Sequence, residues 1–174
     1  MSADNLVQPL LDPGVEVAYA TGRQAGARDE FRTSTSGVHL DVPTVVLVNT
    51  GTSGAAEIVA GALRDSRRAV LVGKPTFGVA DVTKTIPLFD GSLVRLTVGR
   101  YFTPKGQVID GAGVAPDFDV ASETGPSAKD AQLERATDVL KIQHVIETHG
   151  PTLVRRADAT RSLVTPRPLS ESLF

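Results

Sequence analysis

Residues 49–57, NTGTSGAAE, have the composition of a reactive turn. They connect a β-branched run, PTVVLVN, to an apolar stretch of helical spacing, GAAEIVAGALRDSRR. A strand-to-helix turn of this kind can present a nucleophile, or it can offer the backbone N–H groups of a helix start to a phosphate. Phosphate motifs have a G-x-G-x-x-G order or a G-K-[ST] ending, and this turn has neither. The sequence therefore disfavours a phosphate site here.

Ser53 is the candidate nucleophile if the turn follows the nucleophile-elbow pattern. GTSGA is one residue short of G-x-S-x-G, with Ala55 where the second glycine should stand. The acid and histidine partners, in that order, would come from four residues: Asp110, Asp117, His144 and His149. Both histidines lie late in a polar helical stretch, where a solvated surface position is the simpler interpretation. In the simplest interpretation of the turn, Thr52 or Ser53 caps the following helix.

The elements around this turn indicate an α/β domain. PTVVLVN and AVLVG are unbroken apolar runs, typical of strands buried on both faces, and the helix between them has one apolar stripe. Strand, helix and strand in this order predict a βαβ unit. The segment after AVLVG changes to period two on both sides of Asp90-Gly91, which predicts a β-hairpin.

Helices are predicted at both ends of the domain. Residues 10–22 have apolar side chains at near-helical spacing, with Asp12 and Pro13 placed as N-cap and first helical residue and Gly22 at the end. A second helix starts at a capping-box pattern of Ser127 and Asp130 and stops at Gly150-Pro151. Its buried side is predicted to comprise Leu133, Ala136, Leu140 and Val139 or Ile142.

Composition excludes several classes of function. The chain has 174 residues, a net charge of −2 and no cysteine, which disfavours nucleic acid and anionic membranes as partners and excludes thiol catalysis and zinc ribbons. We expect no metal site. The first residues have neither a basic start nor a sustained apolar run, so we expect no signal peptide and, for the chain as written, a cytoplasmic location.

Residues 10–141 resemble the protease core of the carboxyl-terminal processing proteases, also called tail-specific proteases. PTVVLVNTGTSGAAEIVAGALRDSRRAVLVGKPTFG is similar to this family's two catalytic motifs, and IPLFDGSLVRLTVGRYFTPKGQVIDGAGVAPDFDV is similar to the segment that follows them. AQLERATDVLK resembles the helix that closes the core. The resemblance implies an α/β, crotonase-like (ClpP/crotonase-type) fold with a βαβ unit, a β-hairpin and a closing C-terminal helix, and a serine/lysine-dyad peptidase without a cofactor.

The same resemblance implies a domain organisation. A core over residues 1–148 would be truncated at its N-terminal side and would lack the family's PDZ domain, and residues 149–174 would form a loosely attached tail. The family is usually extracytoplasmic, which differs from the location expected from the N-terminal residues alone.

The family's catalytic positions fall on inert residues in this chain. The nucleophile position is Gly54, the general-base position is Val79 and the position that orients the base is Thr83. The segment that supplies an oxyanion donor aligns with residues 6–9, where Pro9 has no N–H group. Glycine has no nucleophile and valine accepts no proton, so we expect no hydrolysis by the family mechanism.

The resemblance therefore predicts a pseudoprotease that serves as a binding or interaction module. A vestigial cleft would be lined by Gly51, Thr52, Ser53, Gly54 and Val79. Its ligand would be a peptide C-terminus or a small apolar molecule, and its protein partners a second copy or an active relative. The alternative is an active hydrolase that uses relocated residues, with Ser53 as nucleophile and Lys84 or Lys74 as base.

Overall fold

The computed structural model of the protein describes residues 6–22, 28–36, 39–121 and 130–161. Its elements in chain order are β1 (Glu16–Gly22), β2 (Arg28–Arg32), β3 (Val45–Val48), α1 (Ala55–Asp65), β4 (Val70–Gly73), β5 (Asp81–Pro87), β6 (Leu93–Phe102), β7 (Phe118–Asp119) and α2 (Ala131–Arg161). The chain forms two compact units, residues 1–140 and residues 141–174. The predicted division after residue 148 remains a prediction.

The βαβ unit is confirmed and forms the smaller of two sheets. β3 and β4 pair in parallel, with α1 as the connection between them, and β7 adds to the other side of β4 in the order β3-β4-β7. β4 is buried along most of its length, as its apolar run predicts. β3 is not buried on both faces as predicted, because its Leu47 side chain is exposed.

The second sheet is antiparallel, with strand order β2-β1-β6-β5. The predicted hairpin is β5 and β6, and the turn between them contains Asp90 and Gly91. Gly91 has a φ of 84°, a conformation that glycine adopts without strain. Hydrogen bonds from the Ser92 hydroxyl and the Ser92 N–H hold the pKa of Asp90 below its usual value.

The predicted helix over residues 10–22 is wrong, because this segment contains a turn followed by strand β1. Pro13 and Gly14 form the turn, in which Gly14 has a φ of 76°. From residue 15, β-branched and aromatic residues alternate at period two: Val15, Val17, Tyr19 and Thr21. This strand pattern outweighs the helical spacing of the leucines and alanines. The polar segment that follows contains the mostly exposed strand β2.

α1 contributes to both core clusters of the first unit. On one side, Leu63 and Ala62 pack with buried residues of the N-terminal segment and β1: Val7, Leu11 and Val17. On the other side, Ala60 packs with Leu71 of β4 and with buried residues that include Val48, Ile109 and Val114. Each fully buried leucine contributes about 1.5–3 kcal/mol through burial. The helix is thus fixed between the two sheets, and so is the turn that precedes it.

α2 begins at Ala131, so Asp130 precedes the helix and does not lie inside its first turn as the predicted capping box required, and the helix ends later than predicted. Ala136 and Val139 are buried as expected, whereas Leu133 and Ile142 are exposed. The helix continues through Gly150-Pro151 to Arg161, so the predicted end is wrong. A proline inside a helix removes one backbone donor and its ring crowds the carbonyl four residues earlier, at a cost of about 3 kcal/mol, which weakens a helix without always ending it. Ser127 lies outside the described residues. No helix within them is long and apolar enough to cross a bilayer.

Asp130 caps α2, and its replacement tests this contact. Its carboxylate accepts a hydrogen bond from the Leu133 N–H at 3.0 Å. We expect Asp130→Ala to lower the free energy of unfolding by about 1 kcal/mol, because one N–H of the first turn loses its acceptor. Urea denaturation followed by circular dichroism measures this change. Asp130→Asn, which can still accept the bond, should retain most of the stability, and equal losses in both variants would contradict the capping role.

Candidate functional site

The turn after β3 is held by its own side chains. The Gly51 N–H donates to the Asn49 side-chain oxygen at 2.9 Å, and the Asn49 N–H donates to the Thr52 hydroxyl at 3.2 Å. The Thr52 N–H closes the turn on the Asn49 carbonyl at 2.9 Å. The Thr52 hydroxyl is therefore used inside the turn and does not cap α1.

Gly54 is the N-cap of α1, so the predicted capping by Thr52 or Ser53 is wrong. Its φ of 64° and ψ of −125° place it on a sharp strand-to-helix turn, in a backbone conformation that side chains rarely adopt. A Cβ added at this position would meet no atom closer than the Val79 carbonyl oxygen at 4.0 Å. Position 54 is therefore strained for any residue but glycine, and a side chain there would point into open space.

Glu57, in the first turn of α1, is the centre of the hydrogen-bond network at this site. Its side chain is fully buried, with 0% relative exposure. The carboxylate accepts hydrogen bonds from three backbone N–H groups, those of Gly54 at 3.0 Å, Gly78 at 2.7 Å and Val79 at 2.9 Å, and from the Thr76 hydroxyl. These four donors and the positive end of the helix dipole stabilise a buried negative charge that has no ion-pair partner among the described residues.

Thr76 links a third loop to the same carboxylate. Its hydroxyl donates to Glu57 and accepts from the Val114 N–H at 2.7 Å, while its own N–H donates to the Val114 carbonyl at 3.1 Å. The Gly111 N–H donates to the Gly78 carbonyl at 2.9 Å. Three loops, over residues 49–54, 76–79 and 109–114, therefore converge around Glu57.

The structure brings Gly54 and Val79 together. The Gly54 N–H donates to the Val79 carbonyl at 3.0 Å, in addition to its bond to Glu57, and the Phe77 N–H donates to the Thr52 carbonyl at 2.9 Å. The side chains of Val79 and Phe77 are exposed, by 43% and 65%. The two positions that the family resemblance singles out are thus neighbours in the structure, beside the exposed side chains of Val79 and Phe77.

Ser53 is not joined to either candidate lysine. Ser53 is exposed, and within the described ranges its hydroxyl makes no hydrogen bond. Lys74 forms an ion pair with Asp119, and Lys84 is exposed in the middle of β5. Thr83, also in β5, accepts a hydrogen bond from the Arg95 side chain at 3.1 Å.

The acid–histidine partners are not assembled in the first unit. Asp110 forms an ion pair with Arg100, and Asp117 accepts a hydrogen bond from the Leu71 N–H at 2.8 Å. His144 belongs to the second unit, and His149 falls outside the described side chains. The Glu57 carboxylate takes the Gly54 N–H at the start of α1, which removes a donor and adds a negative charge where a phosphate would bind. In the described ranges no group of three potential metal ligands is found.

Glu57 has a structural role that the sequence alone did not predict. The motif comparison assigns Glu57 no function, although a glutamate lies among the apolar residues at the start of the predicted helix. A buried charge requires several hydrogen-bond donors, and these come from loops that are distant in sequence. Thr76 and Gly78 in KPTFG supply two of them.

Comparison with known proteins agrees with this architecture. The family model described as Peptidase family S41 matches residues 1–120. The carboxyl-terminal-processing protease of Synechocystis sp. is 38% identical over 173 residues, which cover 90% of this chain and 38% of the relative. The chloroplastic C-terminal processing peptidase of Tetradesmus obliquus is 40% identical over 123 residues, which cover 71% of this chain and 26% of the relative.

A solved structure of a C-terminal processing protease is also similar to this chain. The photosystem II D1 C-terminal processing protease superposes with a TM-score of 0.65 and 38% sequence identity, covering 79% of this chain and 34% of that one. The chain belongs to peptidase family S41, a family of serine peptidases, and several of the matched relatives carry the name carboxyl-terminal processing protease or peptidase. It spans between a quarter and two fifths of the length of these relatives.

Proposed function

We propose that this chain is a crotonase-like protease core that does not hydrolyse peptides and serves as a binding or interaction module. The observation that carries the proposal is the geometry of position 54. Gly54 lies on a sharp strand-to-helix turn with open space beside its Cα, where a nucleophile elbow holds its reactive side chain. Its neighbour across the turn is Val79, whose side chain cannot accept a proton.

Peptide hydrolysis requires specific reactive groups in addition to the fold. Amide hydrolysis by a serine/lysine dyad needs an oxygen nucleophile, a neutral amine that takes its proton, and donors for the oxyanion. Loss of the nucleophile alone lowers kcat by a factor on the order of 10⁶ in serine peptidases. At positions 54 and 79 the chain supplies neither of the first two groups, and Pro9 lacks the N–H that the aligned oxyanion segment would supply.

The proposed ligand is an extended peptide with a free C-terminus. The matched relatives are named for carboxyl-terminal processing, which makes a C-terminal segment the first candidate. The exposed side chains of Phe77 and Val79 favour an apolar peptide or a small apolar molecule. A second copy of the chain and an active relative are the proposed protein partners.

Labelling with a fluorophosphonate probe tests the proposed loss of activity. We expect no covalent labelling of the folded protein, and no difference between the wild-type protein and Ser53→Ala. The Synechocystis protease serves as the positive control for probe quality. Mass spectrometry of the intact protein measures labelling, and circular dichroism confirms that each sample is folded.

The alternative function is hydrolysis by Ser53 with a relocated base. The exposed Ser53 hydroxyl, which makes no hydrogen bond within the described residues, is the observation that favours it. Labelling of the wild-type protein that disappears in Ser53→Ala would establish this alternative and refute the inactive assignment.

A further inference from the structure

The hairpin of β5 and β6 extends beyond the core as a two-stranded ribbon. At the base of the hairpin, Ala80 and Tyr101 are the last residues that take part in a core cluster. Of β6, only residues 99–102 pair with β1. Beyond them, β5 and β6 pair only with each other among the described residues. A two-stranded ribbon is marginally stable in water unless another strand or element covers it.

One face of this ribbon is apolar and exposed. Paired residues of antiparallel strands lie on the same face, so the pairs Ile86–Val94 and Lys84–Leu96 share a face. Val82 lies on it as well, by alternation along β5. Ile86 and Leu96 are 38% and 47% exposed. We refer to Val82, Lys84, Ile86, Val94 and Leu96 as the ribbon face.

Lys84 lies in the middle of the ribbon face without a partner. It is exposed, and the part of the chain that the structure describes gives it no ion pair and no hydrogen bond. The other basic residue of the ribbon, Arg95, lies on the opposite face and donates to the Thr83 hydroxyl. A single cation among apolar side chains favours a partner that is apolar and carries one carboxylate.

β5 is also an edge strand that leads to the candidate site. Within the described ranges it pairs with β6 on one side only, and its first residue follows Val79 and Ala80 directly. An edge strand can accept an added strand through its backbone groups. Pairing of β5 with β5 of a second copy, with the two-fold axis at Lys84, would place two lysines opposite each other, which is unfavourable.

From these observations we infer that the free edge of β5 binds an extended apolar peptide, whose carboxylate pairs with Lys84. The bound strand would extend along β5 toward Val79. This inference rests on the proposed binding function and adds the strand edge that binds the peptide and the residue that contacts its carboxylate.

Fluorescence anisotropy with a synthetic probe tests this inference. The probe is a fluorescein-labelled octapeptide of alternating valine and serine with a free C-terminal carboxylate. We expect Lys84→Gln to weaken binding by about fivefold, as for a partly exposed ion pair, and Lys84→Glu to weaken it further. Lys105→Gln, which removes an exposed lysine in a turn outside the ribbon, is the matched control and should bind as the wild-type protein does.

Two further probes separate the contribution of the ligand's carboxylate from that of the backbone strand pairing. The C-terminal amide of the same peptide should bind the wild-type protein about fivefold more weakly and should show no further loss with Lys84→Gln. A peptide with N-methyl groups on alternate residues should not bind, because it cannot form the strand ladder. Absence of binding by the unmodified probe, or equal affinity for wild-type protein and Lys84→Gln, would overturn the inference.

The remaining outcomes are distinguishable from a failure of the proposed function. Sedimentation velocity that shows a dimer weakened by Lys84→Glu, and competition of that dimer with the probe, would assign the ribbon face to a second copy and overturn the peptide assignment. Cleavage of the probe, detected by mass spectrometry, would overturn the proposed inactivity alone, because the dependence of affinity on Lys84 is measured independently.

Discussion

Glu57→Gln is expected to lower the free energy of unfolding by about 3–5 kcal/mol, since each buried donor left without an acceptor costs about 1–3 kcal/mol. The wild-type carboxylate accepts from four donors on residues 54, 76, 78 and 79. Glutamine keeps one acceptor oxygen and turns an NH₂ group toward the remaining donors. Few substitutions of a single atom should have so large an effect on this protein.

Thermal unfolding followed by circular dichroism measures this change, and the melting temperature should fall by about 10 °C or more. Glu134→Gln is the matched control, because Glu134 is an exposed glutamate in the first turn of α2. Its effect should stay within about 0.5 kcal/mol. A loss of similar size in both variants, or a small loss for Glu57→Gln, would show that the buried carboxylate does not hold the three loops together.

Gly113→Ala is expected to destabilise the protein by about 3 kcal/mol or more, beyond the roughly 1–2 kcal/mol that alanine costs in a left-handed conformation. Gly113 has a φ of 67°, and a Cβ there would lie 2.3 Å from the Thr76 carbonyl oxygen. The loop would have to move away from Thr76, whose hydroxyl binds both Val114 and Glu57. The substitution should therefore loosen the site as well as the fold.

Gly111→Ala provides the comparison within the same loop. Gly111 has a similar φ of 76°, but a Cβ there would meet no atom within 4 Å. This variant should lose only about 1–2 kcal/mol, because it has the backbone strain without the clash. Urea denaturation of both variants measures the difference, and equal losses would contradict the assigned role of the contact between Gly113 and Thr76.

The sequence predicts most of the elements that position the site. The apolar runs of β3 and β4 and the single stripe of α1 identify the βαβ unit, and Asp90-Gly91 identifies the hairpin. The predictions were wrong where a segment is compatible with both a helix and a strand. Residues 10–18 have apolar side chains at near-helical spacing, but residues 15–21 alternate at period two, and the strand that they form pairs with β2 and β6 and buries Val17, Ala18 and Ala20.

The aligned motifs predict which positions form the candidate site, but not which residues support them. Gly54 and Val79 are 25 residues apart in the chain, and only the alignment of two motifs placed them together. Glu57 could not be assigned its role in this way, because its donors come from loop backbones whose arrangement depends on the whole fold. Likewise, the exposure of the ribbon face follows from where the pairing with β1 stops, and no local pattern of residues reports this.

The bonds to Glu57 from residues 54, 78 and 79 all come from main-chain amides, which every amino acid but proline possesses. These three hydrogen bonds therefore do not depend on which side chains residues 54, 78 and 79 carry. The side chains at positions 54 and 79, and any chemistry that they carry, can therefore differ while these main-chain bonds stay in place. Gain and loss of chemistry are in that sense separate from inheritance of the fold.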